Sequence, residues 1–253
     1  MDFDVQNHLR SRALRSADHF RVGPFVVNHN PERSNPFFNY AIPDDRATPS
    51  AEDVADLVEA FRARDRVPRL EYLPVCSPEV EPALLAAGFA AENRAAVMVC
   101  SADTLLPPLP VDGVRLREPR EDAEFLAVAG VQHLGYGGSG PPDPGSAARL
   151  RSTADSGGVV VLATTDDGTP AGGGICTPPS DGLTELAGLA VDAGHRRRGI
   201  GAAVSARLTD TALARGCRLV WLEPGEPAIG RMYARIGYRT VGEKLNIRLR
   251  QNG

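Results

Sequence analysis

The chain repeats itself. Arg69-Leu-Glu-Tyr-Leu73 is echoed by Arg218-Leu-Val-Trp-Leu222, and Ala87-Gly88-Phe89 by Ile236-Gly237-Tyr238, both at an offset of 149 residues. The same shift lays a helical stretch at Glu52–Arg64 over another at Gly201–Leu213. Two matches at one offset point to an internal repeat in which each copy is a strand–helix unit closed by glycine and an aromatic residue. The competing reading is that any such unit looks alike. With 253 residues the chain has length for two small domains, each burying its own core. The copies are not equal, however. Under the shift, Arg196–Gly201 of the second falls on Ala47-Thr-Pro-Ser-Ala-Glu52, which contains no glycine.

Between the copies, Leu105-Leu-Pro-Pro-Leu-Pro110 concentrates proline, which blocks both helix and ladder and predicts an extended linker. The expected domains are therefore 1–105 and 112–253. Downstream, the apolar spacing predicts a strand at Val114–Arg117, a helix from Asp122 to His133, a Gly/Pro loop at Gly135–Gly145 and a short helix at Ser146–Thr153. A hairpin follows, Val159–Ala163 and Gly173–Thr177 about a turn at Asp167-Gly168, and then a strand at Leu183–Val191. A helix at 200–215, a strand at Arg218–Leu222, a helix at Ala228–Ile236 and one or two strands in Tyr238–Leu249 complete the order. The fold class expected is α/β (α+β), a mixed sheet flanked by helices.

Composition narrows the function. The net charge of −4 gives no electrostatic case for nucleic acid as the main partner. Lys244 is the only lysine, so positive charge is almost all arginine, and the run Arg196–Arg198 counts for less than it would elsewhere. Nucleic-acid binding through that run is the weakest of three functional readings. Cys76, Cys100, Cys176 and Cys217 are far apart, without C-x-x-C spacing, and read as buried reduced thiols rather than metal ligands or disulfides. Charge interrupts Met1–Phe20, and no apolar run approaches the roughly 20 residues that span a bilayer. A cytoplasmic protein with no membrane partner is expected.

The chemistry concentrates after Leu186–Val191. That strand runs through Asp192-Ala-Gly-His195 into Arg196-Arg-Arg-Gly199-Ile-Gly201 and then a helix. Glycine at 199 and 201 lets the main chain turn tightly and approach a ligand. A helix N-terminus offers unpaired N–H groups and the positive end of a dipole, a fitting seat for a pyrophosphate. The segment has neither the Gly-Lys-Ser/Thr ending of triphosphate loops nor the spacing of dinucleotide folds. By itself it is equally a glycine-rich turn with solvated arginines.

At these residues the sequence resembles the GNAT superfamily of N-acetyltransferases, whose cofactor motif Q/R-x-x-G-x-G/A lies between a strand and a helix. Arg196, Gly199 and Gly201 match it, and Tyr233-Ala-Arg-Ile-Gly237-Tyr238 matches a second family element, a helix ending in Tyr-x-x-x-Gly-Phe/Tyr. The resemblance covers about residues 112–250 and implies a tandem arrangement, with residues 1–105 a degenerate GNAT-like copy lacking the cofactor motif. It implies acetyl-CoA as co-substrate, its pyrophosphate on the main-chain amides of Arg197, Arg198, Gly199, Ile200, Gly201 and Ala202 beside Arg196. Its pantetheine arm would lie along Leu189-Ala190-Val191 as an added strand, in a slot opened by a bulge. One family feature departs: an asparagine commonly stands seven residues before the tyrosine, and here that position is Glu226. An ionised carboxylate cannot donate a hydrogen bond there.

The implied reaction moves an acetyl group to a primary amine by direct attack in a ternary complex, with no covalent enzyme intermediate and no metal. Tyr233 is the candidate acid, its ordinary pKa of about 10 keeping it protonated yet close to a thiol; the alternative is packing at the helix interface. Under the 149 shift Leu84 stands in its place in the first copy. Glu185, eleven residues before Arg196, is the candidate base or else a carboxylate contacting the acceptor. Glu118 and His133 are held in reserve. Trp221, on a core strand, reads as packing, and Gly135–Gly145, with Tyr136, as either a lid over the acceptor or a connector. A second functional class stays open: a non-catalytic acyl-CoA-binding sensor or assembly module. The acceptor, a small molecule or a peptide, and the oligomeric state, a homodimer included, are not legible in the residues.

Overall fold

A computed structural model describes residues 1–16, 18–107 and 110–250. In chain order the elements are α1 (Asp2–Leu14), β1 (Phe20–Val22), β2 (Phe25–Asn28), β3 (Tyr40–Pro43), α2 (Ala51–Arg62), β4 (Arg69–Tyr72), α3 (Val80–Ala86) and β5 (Phe89–Cys100). They continue as β6 (Val114–Arg117), α4 (Asp122–Gly135), α5 (Ser146–Asp155), β7 (Val159–Thr165), β8 (Pro170–Cys176), β9 (Leu183–Val191), α6 (Ile200–Ala214), β10 (Leu219–Leu222), α7 (Pro227–Ala234) and β11 (Arg239–Leu249). The mixed α/β architecture is the one the periodicities imply, and Tyr238–Leu249 yields one long strand rather than two. Among the described residues no helix is long and apolar enough to cross a membrane. Of the proline segment, Pro108 and Leu109 lie outside the described residues. Before them, the Leu106 N–H donates to the Ile236 carbonyl at 3.0 Å.

Two compact units emerge. One is Met1–Val97 together with the chain from Val241 on; the other is Met98–Thr240. A single cut at the proline segment, into 1–105 and 112–253, does not reproduce this division, because the second copy's last strand joins the first unit and the end of β5 joins the second. In the first unit β4 pairs antiparallel with β11, Tyr72 facing Leu245 and Arg69 facing Arg248. In the second, β10 pairs antiparallel with the end of β5, Leu222 facing Met98 and Val220 facing Cys100. The long strand after the second glycine-aromatic corner thus serves the first unit, and the end of the strand after the first corner serves the second.

In the first unit the sheet order is β1-β2-β3-β4-β11-β5. One face packs α2 and α3 through Val54, Leu57, Phe61, Val80 and Leu84 onto Leu70, Tyr72, Leu245 and Ile247. Alternation then turns Arg69, Glu71, Lys244 and Asn246 to the opposite face, and all four are nonetheless buried. Charge there is neutralised in place: Lys244 Nζ donates to Glu71 Oε2 at 2.6 Å, Arg69 bonds Glu71, and Arg69 Nε donates to Glu92 at 2.6 Å. Burial pushes the Glu71 carboxyl up, but Lys244 and Arg69 outweigh it and hold it below the usual range.

In the second unit the order is β5-β10-β9-β8-β7-β6, counting only the end of β5. On one face α6 and α7 bury Val204, Leu208, Tyr233 and Ile236 against Val161, Leu186 and Val220. On the other, α4 and α5 bury Phe125, Val128 and Leu150 against Val160 and Leu162. Trp221 is fully buried on β10, as packing requires. All four cysteines are free thiols, three of them buried.

The repeat can be checked in register. α2 and α6, β4 and β10, and β5 and β11 match at the offset of 149 to within three residues at their ends. The preceding strands do not. Leu183 faces Leu219, 36 residues on, whereas Ala41 faces Leu70, 29 residues on. The second unit therefore has seven more residues between its parallel strand and its helix.

The buried ion pair gives a stability test. Lys244→Ala strips Glu71 of one of its two cations in a dry site, and is expected to cost about 3 kcal/mol. Urea unfolding followed by circular dichroism measures this; a loss under about 0.5 kcal/mol would show that Arg69 alone satisfies the carboxylate.

Candidate active site

The site begins where β9 outruns its parallel neighbour. β9 pairs with β10 from Leu183–Leu219 to Glu185–Trp221; β10 ends at Leu222, whereas β9 runs on to Val191. A bulge lies in this overhanging stretch. Against β8, Ile175 faces Ala187 but Gly173 faces Ala190, so Gly188 and Leu189 together oppose one residue. Such two-against-one pairing bends the strand. Gly188 takes a left-handed φ of +61° to do it, which side-chain-bearing residues adopt only at a cost. The bulge is tied from the α4 side. Gln132 Nε2 donates to the Gly188 carbonyl at 2.8 Å, and the Tyr136 hydroxyl donates to the Leu189 carbonyl at 3.3 Å.

Beyond Val191 the chain folds into a stiff turn. One oxygen of Asp192 accepts the Gly194 N–H at 3.0 Å and lies 2.9 Å from His195 Nδ1. These bonds, His195 first, hold the Asp192 carboxyl below its usual range. Arg196 Nε donates to the Val191 carbonyl at 3.2 Å and Arg198 Nη2 to the Asp112 carbonyl at 3.3 Å. Two of the three arginines thus brace main chain, while their side chains remain largely exposed.

The turn ends in an open helix N-terminus. Gly199 caps α6 with φ +84°, no side chain caps it, and its first turn carries no acidic residue. The first amides of a helix have no intrahelical partner and concentrate positive potential beyond the end. The left-handed turn is shared by Arg197, at φ +62°, and Gly199. Gly201 has a different job from the turn expected of it: a Cβ there would meet Met232 Sδ at 3.3 Å and Val191 Cγ2 at 3.6 Å, so it lets α7 and β9 close on the first turn. Ile200 is buried and anchors that turn in the core, with Leu189, Val191 and Ala202 packed against the same cluster. Ala190, also buried, faces Gly135 of α4.

The corresponding helix of the first unit is built the other way. Ser50 Oγ accepts the Asp53 N–H at 3.1 Å, and the Asp53 carboxylate accepts the Ser50 N–H at 2.8 Å. With Glu52 beside Asp53 in the first turn, the α2 N-terminus is self-capped and negatively charged.

Tyr233 and Glu185 come to this stretch of β9 from opposite faces of the sheet. Tyr233 lies on the α6 side, packed with Leu186 and 5.5 Å from the Tyr238 ring between centroids. Burial pushes its phenol well above the ordinary value, a hydrogen bond with Ser205 opposing. The hydroxyl therefore stays a proton-bearing donor rather than one poised near a thiol, because the low-dielectric core disfavours the phenolate. Leu84, its counterpart in the first unit, is fully buried and has no polar atom. Glu185 neighbours Leu186 in sequence, so its side chain points to the α4 face, level with Trp221. It belongs to the last pair that β9 makes with β10.

Other candidates have structural commitments. Glu118 is held by Arg215 through both carboxylate oxygens, at 2.8 and 2.7 Å. His133 Nε2 lies 3.1 Å from the Ser139 carbonyl, ordering the Gly/Pro loop. Glu226 is the residue preceding α7, exposed and making no capping bond. On the α4 face a cleft of about 430 Å³ opens onto Gly188, walled by Gln132, His133, Tyr136, Asp143 and Ser146. A larger cleft of about 660 Å³, walled by Leu105, Leu116, Ala206 and Leu213, runs along α6 beyond its first turn, away from the open amides. Gln132 and Tyr136 carry no motif that would single them out; Gly188, a lone glycine inside a strand, is the one signal of the bulge in the sequence.

Comparison with known proteins agrees with this geometry. Residues 132–238 match the model of the Acetyltransferase (GNAT) family. No curated protein matches the chain. Among solved structures, a GCN5-related N-acetyltransferase from Kribbella flavida superimposes with a TM-score of 0.83 at 24% identity, covering 100% of this chain and 96% of that one. A GCN5-related N-acetyltransferase from Sphaerobacter thermophilus gives 0.65 at 16% identity, covering 89% and 76%. A tandem GNAT protein from the clavulanic acid biosynthesis pathway gives 0.62 at 14% identity, covering 90% and 80%. At these identities the three share the fold.

The turn at Gly199 supplies a test of the open amides. A Cβ there would meet only Val111 Cγ2, at 3.5 Å, so Gly199→Ala is expected to cost about 1 kcal/mol of stability through φ alone and to keep coenzyme A binding. Gly199→Glu adds an anion at the helix end and is expected to abolish binding in calorimetry; retained affinity would move the phosphate site elsewhere.

Proposed function

We propose that this chain, whose residues 132–238 match the Acetyltransferase (GNAT) family, transfers an acetyl group from acetyl-CoA to a primary amine of a small-molecule or peptide acceptor. The observation that carries the reading is the junction of two features: the bulged stretch of β9 that runs past the end of β10 and, one turn later, the uncapped N-terminus of α6. The fit to a pyrophosphate rests on chemistry present in the chain. Amides of Arg197–Ala202 offer donors with no competing carboxylate in the first turn, and Gly199 keeps a side chain out of their way. Main chain of Leu189–Val191, beyond the reach of β10, offers an edge for an extended amide-bearing arm.

When bound, acetyl-CoA supplies the electrophile, a thioester carbonyl. The residues do the rest. Glu185 takes a proton from the acceptor ammonium, directly or through water, freeing the nitrogen lone pair to form the new C–N bond. Main-chain N–H groups near Leu189–Val191 stabilise charge on the carbonyl oxygen. As the C–S bond breaks, the Tyr233 hydroxyl passes its proton to the departing sulfur, and the second proton released from the nitrogen as the amide forms restores the phenol. The two groups act from opposite faces, so the acceptor enters by the α4 cleft of about 430 Å³ while the α6 face holds the leaving group. That cleft is of a size to hold a small amine or a side chain. The first unit, seven residues shorter before its helix and capped by Ser50 and Asp53, is a GNAT-like copy without the slot.

Thiol release from acetyl-CoA across an amine panel tests the reading; saturable coenzyme A binding with no turnover on any amine would leave only a binding module. Tyr233→Phe is expected to lower kcat about a hundredfold with coenzyme A affinity kept, and unchanged turnover would remove Tyr233 from the chemistry. Because burial holds the Tyr233 proton more tightly than usual, the wild-type pH–rate profile should show no alkaline loss from this group below about pH 10. Glu185→Gln should cost about 10²-fold or more in kcat/KM for the amine, with coenzyme A affinity kept.

A further inference from the structure

We infer that Gln132 is a positioning residue for the coenzyme A slot, its side-chain amide holding the β9 bulge in the shape that keeps the slot open. The inference rests on the cofactor reading above and asks more of it. Gln132 lies in the last turns of α4 and is partly buried. Its Nε2 reaches the Gly188 carbonyl at 2.8 Å, a main-chain contact across 56 residues.

Gly188 and Leu189 face one residue of β8, and a bulge of this kind turns main-chain groups out of the ladder. A carbonyl so turned needs a donor from elsewhere, since an unpaired acceptor away from water is destabilising. Gln132 supplies it. The fit is close on both sides: a Cβ on Gly188 would come within 2.6 Å of Gln132 Nε2, and one on Gly135 within 2.7 Å of the Ala190 Cβ. The end of α4 is thus seated directly on the bulge. Without the amide, regular pairing with β8 becomes the competing arrangement. A shift of one residue would turn Leu189 and Val191 to the other face of the strand. These residues border the slot, and their side chains pack beside Ile200 at the base of the open helix end. Gln132 should therefore act on cofactor affinity through the main chain, without touching the cofactor or the reacting atoms.

The test is Gln132→Met, which keeps the length of the side chain and removes its N–H donor. Calorimetry with coenzyme A alone, with no acceptor present, should show affinity about tenfold weaker than wild type. A lowered melting temperature with unchanged coenzyme A affinity would make Gln132 merely structural and overturn the inference. Gly188→Ala attacks the same contact from the other partner. If both act through one bond, the double variant loses less affinity than the two single losses combined, and full additivity overturns the inference. Wild-type protein that shows no saturable binding of coenzyme A would refute the cofactor reading itself. Wild type that binds, with Gln132→Met binding equally well, refutes only the role of Gln132.

Discussion

The bulge of β9, in the stretch that runs on past the end of β10, is the constraint on which the candidate site depends. β10 ends at Leu222 and its pairing with β9 stops at Glu185, while β9 continues to Val191. Carbonyls turned out of the ladder by the bulge need partners, and the surroundings of Gly188 supply them. Gln132 and Tyr136 satisfy carbonyls on one side, while Leu189 and Val191 pack their side chains against Ile200 and the α6 core on the other. A strand that outruns its neighbour yet stays anchored by packing carries main chain past the end of β10, and the same strand then delivers the chain to the N-terminus of α6.

The two units put this constraint in relief, because they are assembled from corresponding parts. Strand, helix and glycine-aromatic corner match at one offset, and β11 of the second copy pairs with β4 while the end of β5 pairs with β10. Where they differ is the stretch between the parallel strand and its helix. The shorter stretch in the first unit runs from β3 to a helix that caps itself with Ser50 and Asp53. Its sheet buries Arg69, Glu71 and Lys244 as a bonded cluster on the face opposite α2 and α3. Buried charge of this sort is tolerated when every member is paired, and it suits a packed structural face.

Chemistry in the second unit follows from which face each group occupies. Alternation along β9 sends Leu186 toward α6 and Glu185 toward α4, so neighbouring residues serve different compartments. Tyr233 shares the dry side, where burial keeps its proton on. The arginine run contributes chiefly by bracing: Arg196 and Arg198 donate to carbonyls of Val191 and Asp112. In an arginine-rich chain with a single lysine, that division of labour between geometry and charge could not be read from composition.

By itself the sequence determined the order and type of the elements, because period and turn residues are local properties. It also determined the repeat, and the strand–turn–helix setting of Arg196, Gly199 and Gly201, because glycine marks main chain that must turn or be approached. It could not determine which copy each final strand completes, since strand pairing at long range depends on the whole sheet, and the expected cut at the prolines differs from the compact units for that reason. Nor could it assign Gly201 to packing rather than turning, show Gln132 beneath a carbonyl 56 residues away, or raise the Tyr233 phenol by enclosing it. Those follow only when distant segments meet, since hydrogen-bond partners and dielectric surroundings are properties of neighbours in space.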